Sequence, residues 1–167
     1  MAYLQYITDT DLENHVGYVL NIALGAKAKA IGQFHKNVID PFSAIFEMGG
    51  FDVNAAQWRD SELSRKAQKT VQNHVGEFHQ KVLGAVVDWE DLGTGENVDL
   101  RNTKRRIIAE VKNKHNTVKG DSKYHVYDDL DDLISLKASR YYNYSAYFVT
   151  IIPLKSKKNS VYPFVPS

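Results

Sequence analysis

The chain has 167 residues, is 43% hydrophobic and 25% charged, and carries a net charge of +1. That composition fits a soluble globular domain long enough to bury a real core, and the near-neutral total says nothing about partners. The lack of cysteine excludes disulfides, thiol catalysis and thiolate metal sites. No apolar run approaches the roughly 18 residues of a membrane span, and no signal-peptide pattern opens the chain, so a cytoplasmic setting is expected.

The N-terminal third reads as helical. In "TDTDLENHVGYVLNIALGAKAKAIGQ", Thr10 and Glu13 are spaced as a capping box, and Leu12, Val16, Val19, Leu20 and Ala23 recur at helical spacing. "DPFSAIFEMGG" predicts a short helix with Asp40 as N-cap, Pro41 at the first helical position and Gly49 at its end. A further helix fills much of "SELSRKAQKTVQNHVGEFHQKVLG", with Leu63, Ala67, Val71, Val75, Phe78 and Val82 along one side.

The pattern changes at Gly84. "AVVDW" reads as a short apolar strand and "EDLGTG" as a turn, followed by "NVDLRN" and "RRIIAEVKNK" as two strands joined by a tight turn. An amphipathic helix follows within "DSKYHVYDDLDDLISLKAS", where Tyr127, Leu130, Ile134 and Ala138 form the core stripe, and "YSAYFVTIIPL" is a strongly β-prone last strand. The order is helix, three strands, helix, strand. Residues 1–60 are expected to be helical decoration, 61–154 the core, and 155–167 a C-terminal tail.

The second strand of the hairpin interrupts its apolar run with charge. Side chains alternate along a strand, so Ile107, Ala109 and Val111 are expected on one face and Ile108, Glu110 and Lys112 on the other. A two-residue turn at Thr103-Lys104, or at Lys104-Arg105, puts Asp99 on the face of Glu110, with Val98 and Leu100 joining the Ile107 side. A central strand should be covered on both sides, and half-buried unpaired charges are costly. A hard divalent cation resolves the conflict, because Mg²⁺ takes oxygen ligands and is held by one or two carboxylates plus a substrate phosphate. Asp99 and Glu110 supply the carboxylates, and Val111 between Glu110 and Lys112 completes the expected metal-contacting set. The cation would neutralise a scissile phosphate, with Mn²⁺ expected to substitute. Lys112 would orient or deprotonate the attacking water, or stabilise the charge developing on phosphorus.

These features, with "VDL" carrying the acid and "AEVKNK" carrying Glu-x-Lys in an αβββαβ order, resemble the PD-(D/E)xK nuclease superfamily over about residues 61–154. The likeness is closer to type II restriction endonucleases that cut GGNCC- or GGWCC-type sites, through "NVIDPFSAIFEM", "VGEFHQKVLG" and "IIAEVKNKHNTVKG". Val98 stands where the superfamily's name has proline. The resemblance implies an α/β, restriction-endonuclease-like fold with a mixed central sheet flanked by helices. It places Asp99, Glu110 and Lys112 at the catalytic positions. It also implies that a glutamate on the helix before the sheet assists, with Glu77 the candidate ahead of Glu62 and Glu47. Double-stranded DNA is the implied substrate, a homodimer the implied assembly for a palindromic site, and no nucleotide cofactor is expected.

Between Arg101 and Lys123 there are eight Lys or Arg against two acids, a local basic surface suited to an anionic polymer. Lys114, His115, Asn116, Thr117 and Lys119 form a polar loop beside the expected metal, and Lys123 opens the next helix, where helix N-termini attract phosphate. "KSKKN" at 155–159 is a second basic run. "LGTGEN" lacks the Gly-Lys-Ser/Thr of a phosphate loop, and His74 and His79 are five apart rather than at the i, i+4 spacing of a helical zinc pair. Two other readings remain open on the same core: a structure-selective junction or repair nuclease, and a DNA-binding module without turnover.

Overall fold

The three α-helices of the N-terminal half begin where a side chain satisfies free N–H groups of the first turn. In this computed structural model, which describes residues 2–154 except Asn37, Thr94 and Lys119, together with Val161 and Pro163, and no side chain at 120–122, the first helix is α1 (Asp9–Gly32). Its cap is Thr8, not Thr10: the Thr8 hydroxyl accepts from the Asp11 N–H at 3.1 Å and donates to the Asp11 carboxylate at 2.6 Å. The cap therefore sits two residues earlier than expected. α2 (Pro41–Gly50) has the expected Asp40 cap, whose carboxylate accepts from the Phe42 N–H. α3 (Ala55–Gly84) starts earlier than its apolar stripe indicates. Asn54 caps Ala56 and Gln57, and the Gln57 side chain accepts from the Asn54 N–H in return.

The expected strand "AVVDW" does not form. α3 runs through Gly84, residues 85–89 turn on bonds from the Ala85 N–H to the Lys81 carbonyl and from the Trp89 N–H to Val86, and Asp88 adopts φ 69°. The first strand is instead β1 (Glu90–Asp91). Apolar content alone does not make a strand; the segment that pairs is the one the β2 edge can reach.

β2 (Leu100–Asn102), β3 (Ile107–Lys114), α4 (Gly120–Ser135) and β4 (Ser145–Ile152) complete the expected αβββαβ order. The four strands form one mixed sheet in the order β1-β2-β3-β4, antiparallel up to β3 and parallel between β3 and β4. The β2–β3 connection is a turn closed by the Arg106 N–H on the Thr103 carbonyl, with Lys104-Arg105 at its centre. Arg106 takes φ 53°, and the Asn102 side chain accepts from the Arg105 N–H. This is the second of the two expected registers.

Val98, Ile108, Leu130 and Tyr141 form the buried core cluster, with Val126, Leu133 and Ile134 of α4 and Ala146 and Phe148 of β4 against it. Val98 thus packs with Ile108, contrary to the expected alternation. β2 begins only at Leu100, so strand periodicity does not extend back to Val98. The α4 stripe holds through Ile134, but Ala138 lies past the helix end.

The chain gathers into two units: residues 1–15 with 76–167, and residues 16–75. The change from one to the other falls within α3. In the second unit, Glu62 is buried and forked onto Arg65 at 2.7 and 2.8 Å. That hydrogen-bonded pairing holds its carboxyl below the ordinary range against the opposing effect of burial. Among the described residues no helix is long and apolar enough to cross a membrane.

In the first unit the end of α3 touches β1 at Gly84, where an added Cβ would lie 2.6 Å from the Asp91 Cβ and 2.7 Å from its backbone nitrogen. Alanine would gain about 1 kcal/mol of helix propensity. The obstacle is backbone, however, and overpacking of this kind costs about 1–3 kcal/mol. Gly84→Ala is therefore expected to lower stability in a urea titration, against the propensity scale.

Candidate active site

β3 carries the charged stretch because its two ends lie in different surroundings. Near the turn, Ile108 is fully buried in the core beneath α4. Two residues on, Glu110 stands on the same face, paired across the parallel ladder with Phe148, and Lys112 follows opposite Thr150. This face is thus apolar at one end and ionic at the other, rather than ionic throughout.

Asp99 reaches the same place from the neighbouring strand. β2 is too short to meet Val111 with backbone, and the Asp99 carboxylate accepts from the Val111 N–H at 2.7 Å instead. The Asp99 N–H donates to the Ala109 carbonyl at 3.1 Å, and its own carbonyl accepts from the Leu92 N–H at 2.9 Å. The backbone of Asp99 is therefore held on both sides, and one oxygen of its carboxylate is committed to the Val111 N–H.

Glu110 and Lys112 form a direct ion pair. Their side chains are 18% and 26% exposed, so the pair is shielded from solvent for most of its surface. Burial pushes the Glu110 carboxyl up from its ordinary value; the Lys112 ammonium pulls it down, and the nearby Asp99 carboxylate adds to the rise. Two carboxylates side by side with one ammonium leave a net negative pocket of oxygen donors. Such a donor set fits a hard divalent cation, which needs only one or two carboxylates from the protein.

The structure brings Asp99, Glu110, Val111 and Lys112 together. Glu77 is exposed on α3 and has interactions of its own. Among the described residues no three His, Asp or Glu side chains gather as a metal-holding group, so Glu77 stands outside the carboxylate pair. The α3 side chain that does reach Asp99 is Gln80, one turn later. Its amide donates to the Asp91 carboxylate at 2.7 Å and to the Asp99 carbonyl at 3.4 Å. Sequence reasoning missed it by looking only for an acid; Gln80 lies three residues from Glu77, on the adjoining turn of the helix.

The loop after β3 is a tight, exposed turn. The His115 N–H bonds the Ile152 carbonyl, the Thr117 N–H bonds the Lys114 carbonyl, and the Thr117 hydroxyl accepts from the Lys114 N–H. Asn116 is exposed in the same turn. Lys119 and the run 155–159 lie outside the described residues. Lys123 is placed more informatively: its ammonium lies 5.6 Å from the Phe148 ring centre and 5.8 Å from that of Tyr127. Phe148 is the β4 partner of Glu110, so a second cation stands over the neighbouring strand, held by the ring faces.

The sequence profile of the Eco47II restriction endonuclease family matches residues 4–163. The chain is 54% identical over 168 aligned positions to the type II restriction enzyme Eco47II of Escherichia coli, covering 100% of this chain and 69% of that protein. It is 31% identical over 163 positions to the type II restriction enzyme Sau96I of Staphylococcus aureus, covering 97% of this chain and 60% of that protein. The chain thus spans well under the full length of both relatives. No solved structure matches it.

Proposed function

The chain belongs to the Eco47II restriction endonuclease family, and from that premise we propose that it hydrolyses phosphodiester bonds of double-stranded DNA at a short palindromic site of GGNCC or GGWCC type. The observation that carries the reading is the Asp99 carboxylate clamped on the Val111 N–H beside the shielded Glu110–Lys112 pair. Asp99 and Glu110, with Val111 at the same point of β3, would hold Mg²⁺, for which Mn²⁺ can substitute. The cation supplies positive charge to a scissile phosphate.

The chain's own residues do the rest. The main-chain clamp keeps Asp99 aimed without side-chain reorganisation. Lys112, held beside Glu110, would face the attacking water or the charge gathering on phosphorus. The water oxygen bonds to phosphorus as the bond to the 3′ oxygen breaks, and a proton reaches that oxygen, leaving 5′-phosphate and 3′-hydroxyl ends. Glu77, on the helix before the sheet, is the acid that would assist from outside the pair. Lys114, His115, Asn116, Thr117, Lys119 and Lys123 would bind phosphate oxygens and base edges. A palindromic target calls for a homodimer working in the cytoplasm without a nucleotide cofactor.

Incubation with long duplex DNA and Mg²⁺ is the test. Discrete fragments with palindromic ends are expected. Nicks confined to branched DNA would favour a junction or repair nuclease, and binding without cleavage would leave a DNA-binding module.

A further inference from the structure

Asp99 is held by four hydrogen bonds, and they come from three parts of the chain. β3 supplies two, through the Ala109 carbonyl and the Val111 N–H, and the residue after β1 supplies one, through the Leu92 N–H. The remaining one comes from the Gln80 side chain on α3, at 3.4 Å to the Asp99 carbonyl. The same Gln80 nitrogen donates to the Asp91 carboxylate at 2.7 Å. That carboxylate oxygen also accepts from the Gly93 N–H at 3.0 Å, where Gly93 takes φ 72°, so the turn leaving β1 is tied to the same point. One turn beyond Gln80, the backbone of Gly84 comes so close to Asp91 that a Cβ there would clash with it. The Gln80 amide thus sits where α3 meets β1 and reaches the main chain of the residue whose carboxylate lies near Glu110.

We infer that Gln80 is a positioning residue for the Asp99 carboxylate: it sets where Asp99 stands, and through Asp99 how tightly the site takes a divalent cation. The inference rests on the metal-site reading above and extends it to a neutral side chain. Glutamine suits the task because its NH₂ can serve a carboxylate and a carbonyl at once, whereas a glutamate could donate to neither. Groups that support metal ligands from behind commonly set affinity by 10- to 100-fold.

A clasp that merely fastens α3 to β1 would use the same Asp91 bond, so the experiment must separate the two roles. Two variants do this, Gln80→Leu and the exchanged pair Gln80→Glu/Asp91→Asn. The exchange restores a helix–strand hydrogen bond with its direction reversed, gives up the Gly93 N–H bond to the same atom, and leaves nothing to donate to the Asp99 carbonyl. Mn²⁺ binding is followed by electron paramagnetic resonance without DNA, and folding by circular dichroism and thermal unfolding.

The expected result is a fall in Mn²⁺ affinity on the order of 10-fold in both variants, with the exchanged pair unfolding close to the parent temperature. If either folded variant binds Mn²⁺ as the parent does, or if binding falls only together with the fold, Gln80 is a clasp and the inference is overturned. Should the parent bind no Mn²⁺, or Asp99→Asn bind it as the parent does, the metal-site reading fails first and takes this inference with it.

Discussion

Asp99→Asn is expected to abolish cleavage while leaving the protein slightly more stable. The amide oxygen of asparagine can still accept from the Val111 N–H, so the main-chain clamp at 2.7 Å survives. What disappears is one of the two negative charges at the site. Loss of a supporting group alone costs about 10- to 100-fold in metal affinity or activity; loss of a charged ligand should exceed that, so a drop of at least about 1000-fold is expected, some 4 kcal/mol of barrier. The stability change has the opposite sign. Asp99 pushes the Glu110 carboxyl up, which marks the two as mutually repulsive. Relief of one such partly exposed like-charge pair contributes about 0.5 kcal/mol, roughly 1–2 °C for a domain of this size. Cleavage assays on duplex DNA and metal-free thermal unfolding check the two halves. A variant that lost activity only through misfolding would show a lower unfolding temperature.

Lys112 is expected to separate charge from proton transfer. Lys112→Ala removes the partner of a carboxylate that is only 18% exposed. Leaving such a group unpaired costs about 1–3 kcal/mol, and divalent cation should restore the stability by supplying the missing charge. Its cleavage should fall by about 10²- to 10⁴-fold, the range for a positioned acid or base. Lys112→Arg keeps a cation beside Glu110 and should keep the unfolding temperature. Yet a guanidinium does not give up its proton at any working pH. Cleavage by the arginine variant therefore tells the roles apart: activity near the parent level assigns Lys112 to electrostatic stabilisation, and activity near that of Lys112→Ala assigns it to the proton. Metal-free and Mg²⁺-bound unfolding curves, run beside cleavage rates for both variants, make the comparison.

Much of this site is legible in the sequence alone. The alternation of β3, together with a turn centred on Lys104-Arg105, was enough to bring Asp99 to Glu110, because both admissible registers differ by two residues and preserve the facing. The element order was equally legible, since each helix and strand has its own period and its own stops. What escaped is physically different in kind. "AVVDW" is as apolar as a strand, but whether it pairs depends on an edge elsewhere in the chain, and the α3 turns carry on past it. Val98 joined Ile108 because strand alternation fails where no strand exists. The cap of α1 sits at Thr8 because more than one Thr can bind the first turn, and local spacing does not choose between them. Gln80 was invisible for another reason. It is neutral, and only the tertiary approach of α3 to β1 and Asp99 gives its amide anything to do.

The ion itself offers the most direct test of the central claim that Asp99 and Glu110 form one cation site served by Lys112. Crystals soaked in Mn²⁺ and measured for anomalous scattering should show a peak touching carboxylate oxygens of both residues, at about 2.0–2.2 Å, with the Lys112 ammonium withdrawn from Glu110. A peak elsewhere, or Glu110 still joined to Lys112 at saturating Mn²⁺, would contradict it.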